Sequence, residues 1–139
     1  MTSKTEQLPH DEGFVVSEAP GTLSREQVTV LAGIAVLQPG TVMGERADGK
    51  WEAFHQDSTE GNEAAKGILL SQVDPTDGAG GVGSDVQGVV IERLAEVRAS
   101  DLIWPSDVTT AEQDTAIAEL LVRNIKLRQA PVRVETQTT

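Results

Sequence analysis

Apolar residues recur along this chain in short, β-branched runs separated by turn signals, and only one stretch carries a helical period. Residues 1–13 are polar, without any hydrophobic period, and read as disordered. Phe14-Val15-Val16 is a small apolar patch before the Pro20-Gly21 turn, and Ser24 to Gln27 is polar again. This segment is able to extend as a strand but has no nearby hairpin partner. It reads as an arm, and the body is expected to begin at Val28.

From Val28 the run VTVLAGIAVL predicts a strand ending at Pro39-Gly40, and Thr41 to Arg46 a second. Asp48-Gly49 is a hairpin signal. In the following KWEAF, Trp51 and Phe54 do not share one clean face, which calls for a bulge or an early strand end. His55 to Lys66 reads as a polar loop, Gly67 to Leu70 (GILL) as a buried strand, and Asp74 to Ser84 (DPTDGAGGVGS) as a flexible loop. The β-branched onset after Gly88 favours a strand within Val86–Val97. Trp104-Pro105 closes that segment, because the residue before proline is pushed to extended geometry.

Thr110-Ala111-Glu112-Gln113 fits a capping box, predicting a helix over Ala111–Val122. Its apolar stripe is Ile117, Leu120 and Leu121, supported by Ala116, with Asn124 as a left-handed stop. Ile125 to Val134 then gives one or two terminal strands. The pattern is that of one small β-rich domain with one main C-terminal helix. The expected organisation is a flexible arm over 1–27 and a single β-rich domain over 28–139.

Composition narrows the chemistry. The chain has 139 residues, no cysteine and a formal net charge of −11. The missing thiols exclude disulfides, thiolate catalysis and Cys-based zinc sites. The acidity repels nucleic acid backbones and anionic membranes, so neither is an expected partner. Residues 45–85 carry nine acids and three bases, whereas 123–133 carry Arg123, Lys126, Arg128 and Arg133 with no acid. That cluster suits a helix C-terminus and a solvated strand, or a salt bridge to an acidic partner. No apolar run reaches the ~18 residues of a membrane span, and MTSKTEQLPHDEG lacks the apolar core of a signal peptide. A soluble chain is expected.

Enzyme-like signals are weak. Gly78, Gly80 and Gly83 spell G-x-G-x-x-G, but the glycines do not directly follow a strand, a poor helix former follows them, and Asp74, Asp77 and Asp85 would repel phosphate. His10 and His55 lie in separate polar segments without metal-pair spacing. No G-x-S-x-G occurs, nothing selects a carboxylate dyad, and the spacing of an EF-hand loop is missing. Neither catalytic residues nor a cofactor are expected. Trp51 and Trp104 are two of only four aromatic residues, so core or subunit-interface roles are favoured over a ligand platform. Trp51 with the 55–66 loop motivates one alternative, a surface-displayed binding module, for example for carbohydrate.

Several segments, in order, resemble the head decoration proteins of tailed bacteriophages, the family of the lambda head protein D. They are VSEAPGTLSRE from Val16 to Glu26, the PG and DG turns, GILL, the Val73-Asp74 loop, AEVRASDLIWP from Ala95 to Pro105, the helix and the terminal IKLR. The Asp74–Ser84 loop is longer and richer in glycine than the resemblance leads one to expect. The resemblance implies a small α+β fold, mostly β, that forms a homotrimer without catalytic role, assembled in the host cytoplasm and seated on the outer surface of the virion. Its partner would be the major capsid protein, at threefold and quasi-threefold positions of the expanded head, which it would hold against the pressure of packaged DNA. It further implies a capsid-binding arm that orders on the shell by adding strand structure, mapped here to Phe14, Val15, Val16, Ser17, Glu18, Leu23, Ser24 and Arg25. The apolar surface of Leu102, Trp104 and Pro105 is the candidate trimer interface or core.

Overall fold

The computed structural model describes residues 13–128. Its elements are β1 (Val15–Glu18), the single turn α1 (Gly21–Ser24), β2 (Arg25–Val30), β3 (Val42–Glu45), β4 (Trp51–Ala53), β5 (Gly67–Leu69), β6 (Val86–Ile91), β7 (Ala95–Arg98), a 3-10 turn (Ala99–Asp101), α2 (Thr110–Val122) and β8 (Ile125–Arg128). Five strands close into a barrel in the order β2-β4-β3-β5-β6, and a second sheet runs β1-β7-β8. The result is mostly β with one main C-terminal helix, as the pattern of apolar runs predicts.

The runs that read as continuously apolar are buried on both faces. Successive side chains of a strand point to opposite sides, and here each side meets a different core. Met43, Leu69 and Val90 fill the barrel interior with Val28, Val30, Trp51 and Val73. Their neighbours Val42, Ile68 and Ile91 point outward, into a second core shared with Phe14, Phe54, Val97, Leu120 and Ile125. That outer core lies between the barrel, the three-stranded sheet and the inner face of α2.

Local chemistry sets the connections. Gly49, at φ +87°, turns the β3–β4 hairpin, and Asp48 accepts a hydrogen bond from the Lys50 N–H. Strand β4 stops at Ala53, which lets both Trp51 and Phe54 be buried although they lie off one strand face. A Cβ at Gly67 would come within 2.7 Å of the Ile91 carbonyl oxygen, so glycine lets β5 approach β6 beneath the Trp51 ring. The helix begins one residue earlier than its sequence signal. Thr109 is the N-cap, exchanging hydrogen bonds with Glu112 in a full capping box. Asn124 takes the left-handed stop at φ +62°. Of the expected stripe, Ala116 and Leu120 are buried, Ile117 is half-buried and Leu121 is exposed.

Three segments depart from the sequence expectations. The strand starting at Val28 is part of β2, which begins at Arg25 and ends at Val30; residues 31–37 are irregular. Residues 86–97 form two strands, because the chain turns a corner at Glu92–Leu94, with Leu94 at φ +59°.

The largest difference concerns residues 14–27, which are built into the body instead of standing outside it. Phe14 is 4% exposed, β1 pairs antiparallel with β7, and β2 pairs antiparallel with β6 along its whole length. The partners lie some seventy residues away in sequence, so no hairpin signal announces them. Replacing Phe14 by alanine is therefore expected to cost about 3 kcal/mol in urea unfolding. A residue outside the fold would change stability by less than about 0.5 kcal/mol.

Candidate functional site

The N-terminal residues form one half of a bent ribbon. The Phe14 carbonyl accepts from the Arg98 N–H at 2.7 Å, and β1 then runs along β7 with an irregularity between Val15 and Ser17. Val15 and Glu18 are half-buried, whereas Val16 and Ser17 are exposed. Among the described residues nothing pairs with the outer edge of β1, so its backbone groups remain open to an added strand.

Beyond β1 the chain turns. Ala19 N–H donates to the Leu94 carbonyl at 3.0 Å and Glu92 N–H to the Ser24 carbonyl at 2.9 Å, bracketing the corner. Ser24 is fully buried, and its hydroxyl donates to Glu18. Arg25 grips the same carboxylate from two nitrogens, Nη2 to Oε1 at 2.7 Å and Nε to Oε2 at 3.0 Å. These hydrogen bonds, Arg25 foremost, hold the Glu18 carboxyl below the usual carboxylate range against the opposing effect of partial burial. Glu18, Ser24 and Arg25 thus lock the corner. Of the eight residues mapped to the arm, Val16, Ser17 and Leu23 are exposed.

The Trp104 region is a separate surface. Leu102 is buried in the outer core, while Trp104 and Pro105 are half-buried. Trp104 stands edge-on to Phe54, with ring centroids 5.9 Å apart at 87°. With Val36, Leu37 and Ile103 they line an open cleft of ≈ 590 Å³. Val36 and Ile103 are exposed there.

At its rim His55 Nε2 lies 3.2 Å from Asp107, and Asp57 brings a third metal-ligating group within 4.8 Å of the others. His55 Nδ1 already accepts the Asp57 N–H at 3.2 Å. A metal on Nε2 would need the proton on Nδ1, donor facing donor, so the geometry suits an Nε2–H hydrogen bond to Asp107. Hydrogen bonding from Gln56, with a lesser contribution from His55, holds the Asp107 carboxyl low. His10 lies outside the described residues.

The remaining signals resolve as structure. Trp51 is 3% exposed and offers no ring face to a ligand; the Lys66 ammonium sits 5.5 Å from its centroid. Residues 74–84 form a hydrogen-bonded turn joined by a Thr76–Val82 bridge. The amides of Ala79 and Gly81, which a phosphate would need, donate to Asp77 at 2.7 and 2.8 Å. A strand follows that turn, so the glycine pattern meets no helix N-terminus. Of the basic cluster, Arg123 binds the buried Glu92 at 2.8 Å and Arg128 lies 3.6 Å from Glu96. Among the described residues no helix is long and apolar enough to cross a membrane.

The open edge of β1 and the Trp104 cleft are two exposed features of the described residues that suit contact with a partner. The family model of the bacteriophage lambda head decoration protein D matches residues 4–125, from ahead of β1 into the start of β8. The chain belongs to the lambda head decoration protein D family. No curated protein matches the chain. Membership in a head decoration family ties the protein to the phage capsid, and both exposed features lie within the matched residues.

Sequence reasoning missed the role of Glu18, Ser24 and Arg25 as a lock; a carboxylate seven residues ahead of an arginine, across a Pro-Gly turn, was the available signal. Because the Glu18 carboxyl is held low when folded, its charged form stabilises the fold above the unfolded pKa of about 4.3. That stabilisation is lost as pH falls through the lower folded value. Glu18→Gln is therefore expected to be less stable than the parent chain at neutral pH, with the gap closing below about pH 4, as urea unfolding across a pH series would show.

Proposed function

We propose that this protein is a capsid cement: a homotrimer that binds the expanded icosahedral head at threefold and quasi-threefold sites and holds it against the pressure of packaged DNA. The observation that carries this reading is the match of the decoration-family model over residues 4–125. The fold supports it in two ways. The open edge of β1 suits β-augmentation, in which main-chain hydrogen bonds supply affinity to an extended partner segment. The cleft of Trp104, Pro105, Val36 and Ile103 is weakly charged for so acidic a chain, with its one carboxylate answered by His55, and suits contact between copies.

In this reading the shell-binding segment is β1 and the turn that follows it, with Val16, Ser17 and Leu23 facing the shell. Phe14, Glu18, Ser24 and Arg25 support it from within the body. A single strand-addition contact binds weakly, because ordering the added segment costs entropy. Three such contacts on one trimer gain ~10²–10⁴ in avidity where geometry allows them together. Selectivity for the expanded shell follows from site spacing, and binding that state alone stabilises it by mass action. With Trp51 buried, the carbohydrate-module alternative loses the residue that motivated it.

Co-sedimentation with expanded, undecorated heads tests this. Full-length protein is expected to pellet, saturating at one trimer per threefold site. A Val16→Asp/Leu23→Asp chain changes only exposed side chains of this face and is expected to remain trimeric but to bind heads at least tenfold more weakly. Absence of full-length protein from the pellet contradicts the cement reading. Equal binding by the Val16→Asp/Leu23→Asp chain contradicts attachment through this face.

A further inference from the structure

A second cleft, of ≈ 400 Å³, opens where the end of α2 meets the starts of β7 and β8, walled by Ser17, Glu18, Leu94, Glu96, Leu121 and Lys126, with Glu18 answered by Arg25 and Glu96 by Arg128. Three features there lack a structural explanation. Leu94 holds a left-handed backbone at φ +59°, a conformation that costs any residue with a Cβ. Its backbone bonds, N–H to the Arg123 carbonyl and carbonyl from the Ala19 N–H, would be made as well by glycine or asparagine. The neighbouring left-handed position is indeed Asn124. Nor does burial account for the leucine, whose surface is 36% exposed.

Leu121, 55% exposed, forms the second apolar wall. Lys126 completes the set: among the described residues it makes no ion pair, while Arg98, Arg123 and Arg128 are paired with Asp101, Glu92 and Glu96. In a chain of net charge −11, an unpaired cation beside an apolar cleft marks a place where an acidic partner meets attraction.

We propose that this cleft is a docking site for an extended acidic segment of the shell protein, taking an apolar side chain between Leu94 and Leu121 and a flanking carboxylate on Lys126. The free fold carries the cost of a left-handed leucine, and contact of the bound partner with its side chain offsets it. The cleft adjoins the end of β1, so such a segment would extend the attachment along the outer face of the three-stranded sheet. Naming the shell protein as partner rests on the cement reading; the chemistry of the cleft does not.

The test titrates isotope-labelled full-length protein with overlapping synthetic peptides covering the shell protein of the cognate heads. Peptides with an apolar residue beside a carboxylate are expected to shift the amide resonances of Leu94, Leu121 and Lys126. Lys126→Glu is expected to weaken that binding about tenfold. Leu94→Asn relieves the backbone while removing the apolar wall. It is expected to raise Tm by about a few degrees and to weaken peptide binding by about tenfold.

Silence of these resonances with every peptide, or full affinity in Leu94→Asn, overturns the proposal. So does a change of oligomer size in Leu94→Asn, which would make the cleft a self-contact. Head sedimentation separates the two readings. Protein that pellets with heads while no peptide reaches the cleft keeps the cement role and loses the docking site. Peptide binding at the cleft without head binding does the reverse.

Discussion

One antiparallel ribbon, bent once, carries both sheets of this protein. Its first arm is residues 15–30 and its second is residues 86–98. Val15–Glu18 pairs with Ala95–Val97, and Arg25–Val30 pairs with Val86–Ile91. Between the paired regions the first arm spends six residues, 19–24, where the second spends three, 92–94. The single turn α1 takes up the excess on one side, and the left-handed Leu94 makes the sharp inner bend on the other. Everything else is hung from this ribbon. The barrel closes on β2 and β6, while β8 and the helix close on β7.

A bend of this kind strips backbone and side-chain polar groups of strand partners at the place where two cores meet. The corner answers with charge-assisted hydrogen bonds, which are stronger than neutral ones. Glu18 is held by Ser24 and by Nε and Nη2 of Arg25, and the buried Glu92 is held by Arg93 and Arg123. Arg123 also donates to the Glu92 carbonyl at 3.1 Å, tying the end of α2 to the bend. Removing one partner of such a buried pair costs far more than the intact pair contributes, because the other charge is left without compensation. The corner is thus where the fold is most exposed to single substitutions. It also sets the outer face of the three-stranded sheet, and with it the surfaces proposed to meet the capsid.

Much of the local structure was legible in the sequence. The Asp48-Gly49 hairpin, the buried GILL strand, the helix and its Asn124 stop each carry their determinant within a few residues. The resemblance to head decoration proteins, read from ordered short segments, agrees with the family match. The capping box was displaced by one residue because adjacent threonines, Thr109 and Thr110, both fit its first position; only the geometry shows that Glu112 pairs with Thr109. The ribbon was not legible. A strand-capable segment whose partner lies some seventy residues away looks, by pattern alone, the same as an unpaired arm. The apolar stripe placed Leu121 with Leu120, yet the helix ends against β8 in such a way that only Leu120 reaches the core. The left-handed Leu94 leaves no trace in composition, since leucine is not the residue that such a backbone selects.

Hydrogen exchange on the free protein and on protein bound to expanded heads is the most direct test of the account. The amides of Val15–Glu18 and Arg25–Val30 that pair across the ribbon are expected to be protected in both states, with the head adding protection at the outer edge of β1. Fast exchange throughout 14–27 in the free protein, with protection gained only on the head, would contradict the account and return these residues to the role of an arm.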